Sequence, residues 1–223
     1  MAKKAATLAG NQLNVQLREP LTSNQAIAFN SEKHLIMHGV AGTGKTYVAC
    51  YLGYRALAQK QQTRMVIIRS AVPTRDIGFL PGTDKEKSAV YEEPYKDIAA
   101  EMFERGDAYE ILKQKFVVEF MTTSFIRGIT IDNAVILVDE CQNMTFHELD
   151  SIMTRVGTNC RIIFCGDFRQ DDFAGKREQS GLNDFFKILK SMDQFDMIDF
   201  QIEDIVRSDL VKDYIIAKNE LGL

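Results

Sequence analysis

Apolar residues recur along this chain in short, nearly unbroken runs, at 34–38, 65–68, 116–120, 134–138, 161–165 and 195–200, spaced too far apart for hairpins. Runs of that length with little alternation fit strands buried on both faces. Between most of them, residues 47–59, 95–114, 146–156 and 182–189 place apolar side chains at helical spacing. Strands alternating with helices imply a parallel sheet covered on both sides, so the expected class is α/β, doubly wound and mainly parallel. Residues 71–94 break the rhythm: they hold three of the four prolines and several charges without a clean period. They predict a long inserted loop or small subdomain after the second strand. The first thirty residues contain no strong strand and read as a strap across the domain, ending in a helix over 24–30 capped by Ser23 or Asn24. No repeat, low-complexity tract or long linker divides the chain, so residues 1–223 read as one domain.

Composition narrows the function classes. With 45% hydrophobic and 26% charged residues over 223 positions, the chain has the balance of a globular protein rather than a disordered one. Its net charge of −4 argues against coating nucleic acid by bulk charge, so any such contact must be local. Cys50, Cys141, Cys160 and Cys165 form no C-x-x-C pair and no zinc pattern; Cys141 and Cys165 read as small core residues in a reducing cytoplasm. The start, MAKKAATLAG, lacks the apolar stretch of a signal peptide, and no run reaches the roughly 18 apolar residues of a membrane span. A cytoplasmic protein with no membrane association is expected.

The first apolar run ends in HLIMHGVAGTGKTYVA, where Gly39, Gly44, Lys45 and Thr46 match the G-x-x-x-x-G-K-[ST] template. Glycines at 39, 42 and 44 let the backbone turn tightly and bring amide groups against phosphate oxygens, where side chains would obstruct. Ala41, Gly42, Thr43 and Gly44 would line that cradle, Lys45 would reach the terminal phosphates, and Thr46 would ligate magnesium. A helix opening at Lys45 aims its positive end at the same anion. An ordinary glycine-rich turn is the bland alternative, but the template's flanking strand and helix are both in place.

Hydrolysis also needs a magnesium anchor and a group that activates water, at the end of a strand expected beside the P-loop strand. Run 134–138 supplies the strand, and Asp139 and Glu140 follow at once. Asp139 would hold magnesium through water and Glu140 would polarise the attacking water. A kinase usually lacks the second acid, because its attacking group is a substrate hydroxyl.

VDECQN at 138–143 and FCGDFRQDD at 164–172 resemble motifs of superfamily 1 helicase-type ATPases, which implies one RecA-like P-loop domain with a three-layer sandwich. In that group a glutamine after the acidic pair and another after the Gly-Asp pair sense the γ-phosphate; Gln142 and Gln170 hold those places. LTSNQAIAF resembles the adenine-reading segment, with Gln25 in the reading position. The set GVAGTGKTYVA, IGFLPGTDKEK, YEEPYKD, SFIRGITIDNAVILVDECQN, MTRVG and IEDIVRSDLV closely resembles the PhoH family, from about Leu21 onward. That resemblance implies ATP binding and hydrolysis with a role on RNA. Ile129 stands where relatives commonly carry a second arginine after Arg127-Gly128, and no stretch resembles the nuclease or RNA-binding modules of some relatives.

Arg207, in the segment IEDIVRSDLV, is the candidate arginine finger; its competing reading is an exposed pair with Glu203 four residues earlier. Whether it serves its own nucleotide or a neighbour's stays open. Superfamily 1 motors close two RecA-like domains on one nucleotide and this chain has length for one, so either it assembles into a homo-oligomer such as a ring, which is the expectation, or it never translocates. Arg69, Arg75, Lys85, Lys87 and Arg127 are candidates for a basic track for single-stranded RNA or DNA, with Phe79 or Phe125 as a stacking surface. The leading reading is a magnesium-dependent ATPase acting on single-stranded nucleic acid. The alternative is an ATP-dependent switch acting on a protein partner, with a small-molecule kinase third.

Overall fold

The computed structural model describes residues 6–8, 13–70, 84–167 and 177–221. Two short strands, β1 (Ala6–Leu8) and β2 (Leu13–Val15), pair antiparallel at the amino-terminal end. The main sheet holds β3 (His34–Gly39), β4 (Arg64–Arg69), β5 (Val118–Thr122), β6 (Ala134–Val138), β7 (Arg161–Cys165) and β8 (Phe195–Phe200). Its order is β5-β4-β6-β7-β3-β8, and every neighbouring pair is parallel.

The two faces are built by strict alternation. Leu35, Met37, Met65, Ile67, Val135, Leu137 and Ile163 enter one core, while Ile36, Val66, Ile68, Ile136, Val138, Ile162 and Phe164 enter the other. On the first face lie α1 (Ser23–Asn30), α2 (Lys45–Ala58), α3 (Asp84–Phe103) and α4 (Ala108–Gln114). The second face is covered by α5 (Phe146–Met153) and α6 (Arg177–Lys190), whose Leu149, Ile152, Phe185 and Phe186 pack around Phe164. A last helix, α7 (Asp209–Glu220), has no buried residue. The result is the expected doubly wound, three-layer α/β sandwich, with α3 and α4 filling the interval between β4 and β5.

Several expectations need correction. The amino-terminal strap does contain strands: Leu13 and Val15 are buried, and the amide of Gln16 donates to the Met102 carbonyl at 3.0 Å, which ties the strap to α3. Thr22, rather than Ser23 or Asn24, caps α1, its hydroxyl accepting from the Gln25 amide. Within the insertion expected as a loop or small subdomain, residues 84–94 form a helix, and the expected helix 95–114 is two helices. The chain turns between them at Glu104, whose φ of 52° no α-helix accommodates. β5 begins two residues later than expected, because Phe116 (φ 55°) still belongs to the turn closing α4. The strand carrying the acid pair is not beside the P-loop strand: β7 lies between β6 and β3. Among the described residues, no helix is long and apolar enough to cross a membrane.

Candidate active site

The P-loop turns on three residues with positive φ: Gly39 at 113°, Gly42 at 78° and Gly44 at 81°. The space around Gly39 is closed as well, since a Cβ there would lie 2.1 Å from the Phe200 carbonyl oxygen. That carbonyl accepts from the Val40 amide at 2.9 Å, and the Val206 amide donates to the Gly42 carbonyl at 3.1 Å, so the segment after β8 braces the loop. Thr43 is fully buried and donates to the Val40 carbonyl, while Ala41 stands exposed at the tip.

Lys45 opens α2 and folds back on its own loop, donating to the carbonyls of Gly39 and Val40 at 2.8 Å each. Burial pushes its ammonium below the ordinary lysine value, against the opposing pull of Asp167, Cys165, Glu140 and Asp139. Thr46 donates to Asp139 Oδ1 at 3.0 Å, so the two expected magnesium holders meet although β7 separates their strands. The other oxygen of Asp139 accepts from the Tyr95 hydroxyl at 2.7 Å. Burial raises the Asp139 carboxyl above its ordinary value, with the Tyr95 hydrogen bond working the other way.

Glu140 sits in left-handed backbone (φ 55°, ψ 44°), a conformation that costs a non-glycine residue about 1 kcal/mol or more and marks functional turns. Its carboxylate accepts from Gln142 Nε2 and lies 3.9 Å from Arg69 Nη2. Gln142 bridges the acid pair to the end of β7, because its Oε1 accepts the Asp167 amide at 3.0 Å. Arg69, a candidate for the basic track at the strand ends, lines the cleft, its guanidinium 5.6 Å from the centroid of the Tyr91 ring.

These groups line one cleft of about 960 Å³, within the range of small-molecule sites. Lys45, Thr46, Asp139, Glu140, Gln142 and Arg207 all reach its wall. Oxygen donors Thr46 and Asp139 suit magnesium, which takes one or two protein oxygens and completes its shell with water and phosphate. Among the described residues there is no cluster of three or more His, Cys, Asp or Glu placed to hold a metal by themselves.

Gln25 lines the cleft, where its Oε1 accepts from the Leu21 amide at 2.9 Å and its Nε2 donates to the Thr43 carbonyl at 3.1 Å. Arg207 is exposed, and its side-chain stem passes 3.1 Å from where a Gly42 Cβ would be. No ion pair joins it to Glu203 among the described residues. Gln170, Arg75 and Phe79 lie outside the described residues, as do the side chains of Lys85 and Lys87. Phe125 (61% exposed) and Arg127 stand out in the turn after β5 at the sheet edge. Sequence reasoning missed Tyr95 and Tyr91; the segment YEEPYKD contained both, with no spacing to tie them to acids more than forty residues away.

The family model described as PhoH-like protein matches residues 17–218. A PhoH-like protein of Mycobacterium leprae is 35% identical over 183 residues, 82% of this chain and 52% of its own length. One of Bacillus subtilis is 35% identical over 180 residues, covering 80% of this chain and 56% of that protein. Protein PhoH of Escherichia coli is 32% identical over 185 residues, 82% and 52% respectively. The chain thus spans about half the length of the curated relatives it matches. Among solved structures, the large terminase from a thermophilic bacteriophage superposes with a TM-score of 0.53 at 13% identity, over 88% of this chain and 50% of that one, a likeness of fold. By its sequence matches, the chain belongs to the family of PhoH-like proteins.

Proposed function

We propose that this protein binds ATP with magnesium, hydrolyses it, and works on single-stranded RNA or DNA in the cytoplasm. The family and the fold support an ATPase-type function. The observation carrying the finer reading is the meeting of Thr46 and Asp139 at 3.0 Å beside a glycine loop whose own carbonyls hold a half-buried lysine.

In this reading Lys45 leaves its two carbonyls and pairs with the β- and γ-phosphates, while the loop amides from Gly39 to Thr46 hold the oxygens between them. Thr46 and Asp139 hold the magnesium, which supplies charge neutralisation on the phosphates when bound. Glu140 takes a proton from the attacking water, and Gln142 keeps its carboxylate aimed. Gln170 stands for the second γ-phosphate sensor. Gln25 acts on the nucleotide through the backbone it braces. Arg207 serves the nucleotide of its own chain, since its stem already rests on Gly42. Phe125 and Arg127 offer a stacking face and a phosphate contact for a polymer strand.

The test is phosphate release with and without short single-stranded RNA and DNA. The reading expects Mg-dependent release that rises with oligomer. Release that responds to no oligomer favours a switch read by a protein partner, and transfer to an acceptor with little free phosphate favours a kinase. Lys45→Ala should abolish nucleotide binding or turnover. Glu140→Gln should keep ATP bound while stopping hydrolysis, and normal turnover by that variant would remove Glu140 from the role.

A further inference from the structure

We propose that Tyr95 is the positioning residue of the magnesium-side carboxylate, so that the metal site is assembled from α3 as well as from the strand ends; this rests on the ATP-and-magnesium reading above. Tyr95 is fully buried, and its hydroxyl donates at 2.7 Å to Asp139 Oδ2. Asp139 is only 4% exposed, and its backbone is fixed by its amide donating to the Ile68 carbonyl at 3.0 Å. What that backbone does not fix is the rotation of the carboxylate. The two oxygens are claimed from opposite sides, Oδ1 by Thr46 at 3.0 Å and Oδ2 by Tyr95. Without the phenol, the plane of the group would be free to turn away from Thr46. Outer partners of metal-holding carboxylates commonly set ligand orientation in this way.

The helix that supplies Tyr95 lies in the interval between β4 and β5, outside the P-loop strand and its following helix. It forms a wall of the same cleft through Pro94, Asp97, Ile98 and Glu101. One turn earlier its Tyr91 ring lies beneath Arg69, the cation facing Glu140. α3 therefore touches Asp139 directly and reaches Glu140 only by way of Arg69. A second buried tyrosine provides the contrast: Tyr109 of α4 donates to Glu92 at 2.9 Å, a bond of the same kind, away from the cleft lining.

The experiment is calorimetric titration of ATP into the full chain, in EDTA and in millimolar MgCl2, for wild type, Tyr95→Phe and Tyr109→Phe, with thermal unfolding recorded for each. The expected result is that Tyr95→Phe binds ATP in EDTA within about twofold of wild type but loses about 10-fold or more of the gain that magnesium confers. Tyr109→Phe keeps the full gain. In an Asp139→Asn background, Tyr95→Phe adds no further loss, because the carboxylate it positions is already gone. A full magnesium gain in Tyr95→Phe, or an equal loss in Tyr109→Phe, overturns the proposal while leaving the ATPase reading in place. Wild type that binds no ATP in either buffer overturns both.

Discussion

At the scale of single residues, the site depends most on places that leave no room for a side chain. Gly39 combines a φ of 113° with a neighbour's carbonyl oxygen 2.1 Å from any added Cβ. Gly39→Ala must move either the loop or β8, at about 2–3 kcal/mol, and should lower the melting temperature by roughly 5–10 °C and weaken ATP binding. An unchanged melting curve would mean that the loop relaxes freely. Arg207→Ala should retain ATP and lose turnover by about 10³-fold or more, measured in single-turnover hydrolysis. Unfolding of this variant would instead point to a packing role. The template spacing placed Lys45, Thr46 and the acid pair in the sequence because their chemistry is local to two short turns. Gln25 and Arg69 were legible as residues but not in their partners. Only the folded chain brings the Thr43 carbonyl to the first and Glu140 to the second.

At the scale of elements, the strands were legible because burial on both faces leaves an unbroken apolar run, and 134–138 and 161–165 match their strands end to end. α3 was hidden because its first half is densely charged, DKEKSAVYEE, so no apolar stripe announces it. Its packing relies on polar contacts too: buried Glu92 accepts from Tyr109 and from Lys113 of α4. Glu92→Ala would strand the Tyr109 hydroxyl and should cost about 1–3 kcal/mol in urea unfolding. A second polar knot joins the ends of three elements, where Glu148 of α5 accepts from Thr123, Thr145 and Ser70. Burial raises the Glu148 carboxyl, but these hydrogen bonds outweigh it and hold the group below its ordinary 4.5. A depressed carboxyl stabilises the fold above its unfolded value and ceases to do so as pH falls through the folded one. Wild type should therefore lose more stability than Glu148→Gln when urea unfolding is moved from neutral pH to below 4.5, and equal losses would remove Glu148 from that role.

At the scale of the whole molecule, the sheet order sets which ends meet. The chain leaves β3, crosses to β4 and β5, and returns through β6 and β7, so the carboxyl ends of the central strands converge on one crevice. In the proposed ATPase reading, one such domain would supply one side of a nucleotide. We expect a homo-oligomer, with light scattering giving a multiple of the 25.3 kDa chain mass when ATP is present. A single-chain mass in every nucleotide state would exclude it. Phe125→Ala should raise the oligonucleotide concentration needed for half-maximal stimulation, by an amount equivalent to about 1–3 kcal/mol of base stacking. No change would take the exposed ring off the polymer path.

The resting place of Lys45 carries a kinetic implication. Its ammonium is held by the very carbonyls that shape the loop, and that loop is anchored to Phe200 and Val206, with Ile215 of α7 beside Gly42. If the ATP reading holds, an incoming triphosphate would have to lure this cation out before it could settle. In that reading its arrival would be felt first around Gly42, where the Ile215 side chain of α7 lies close by.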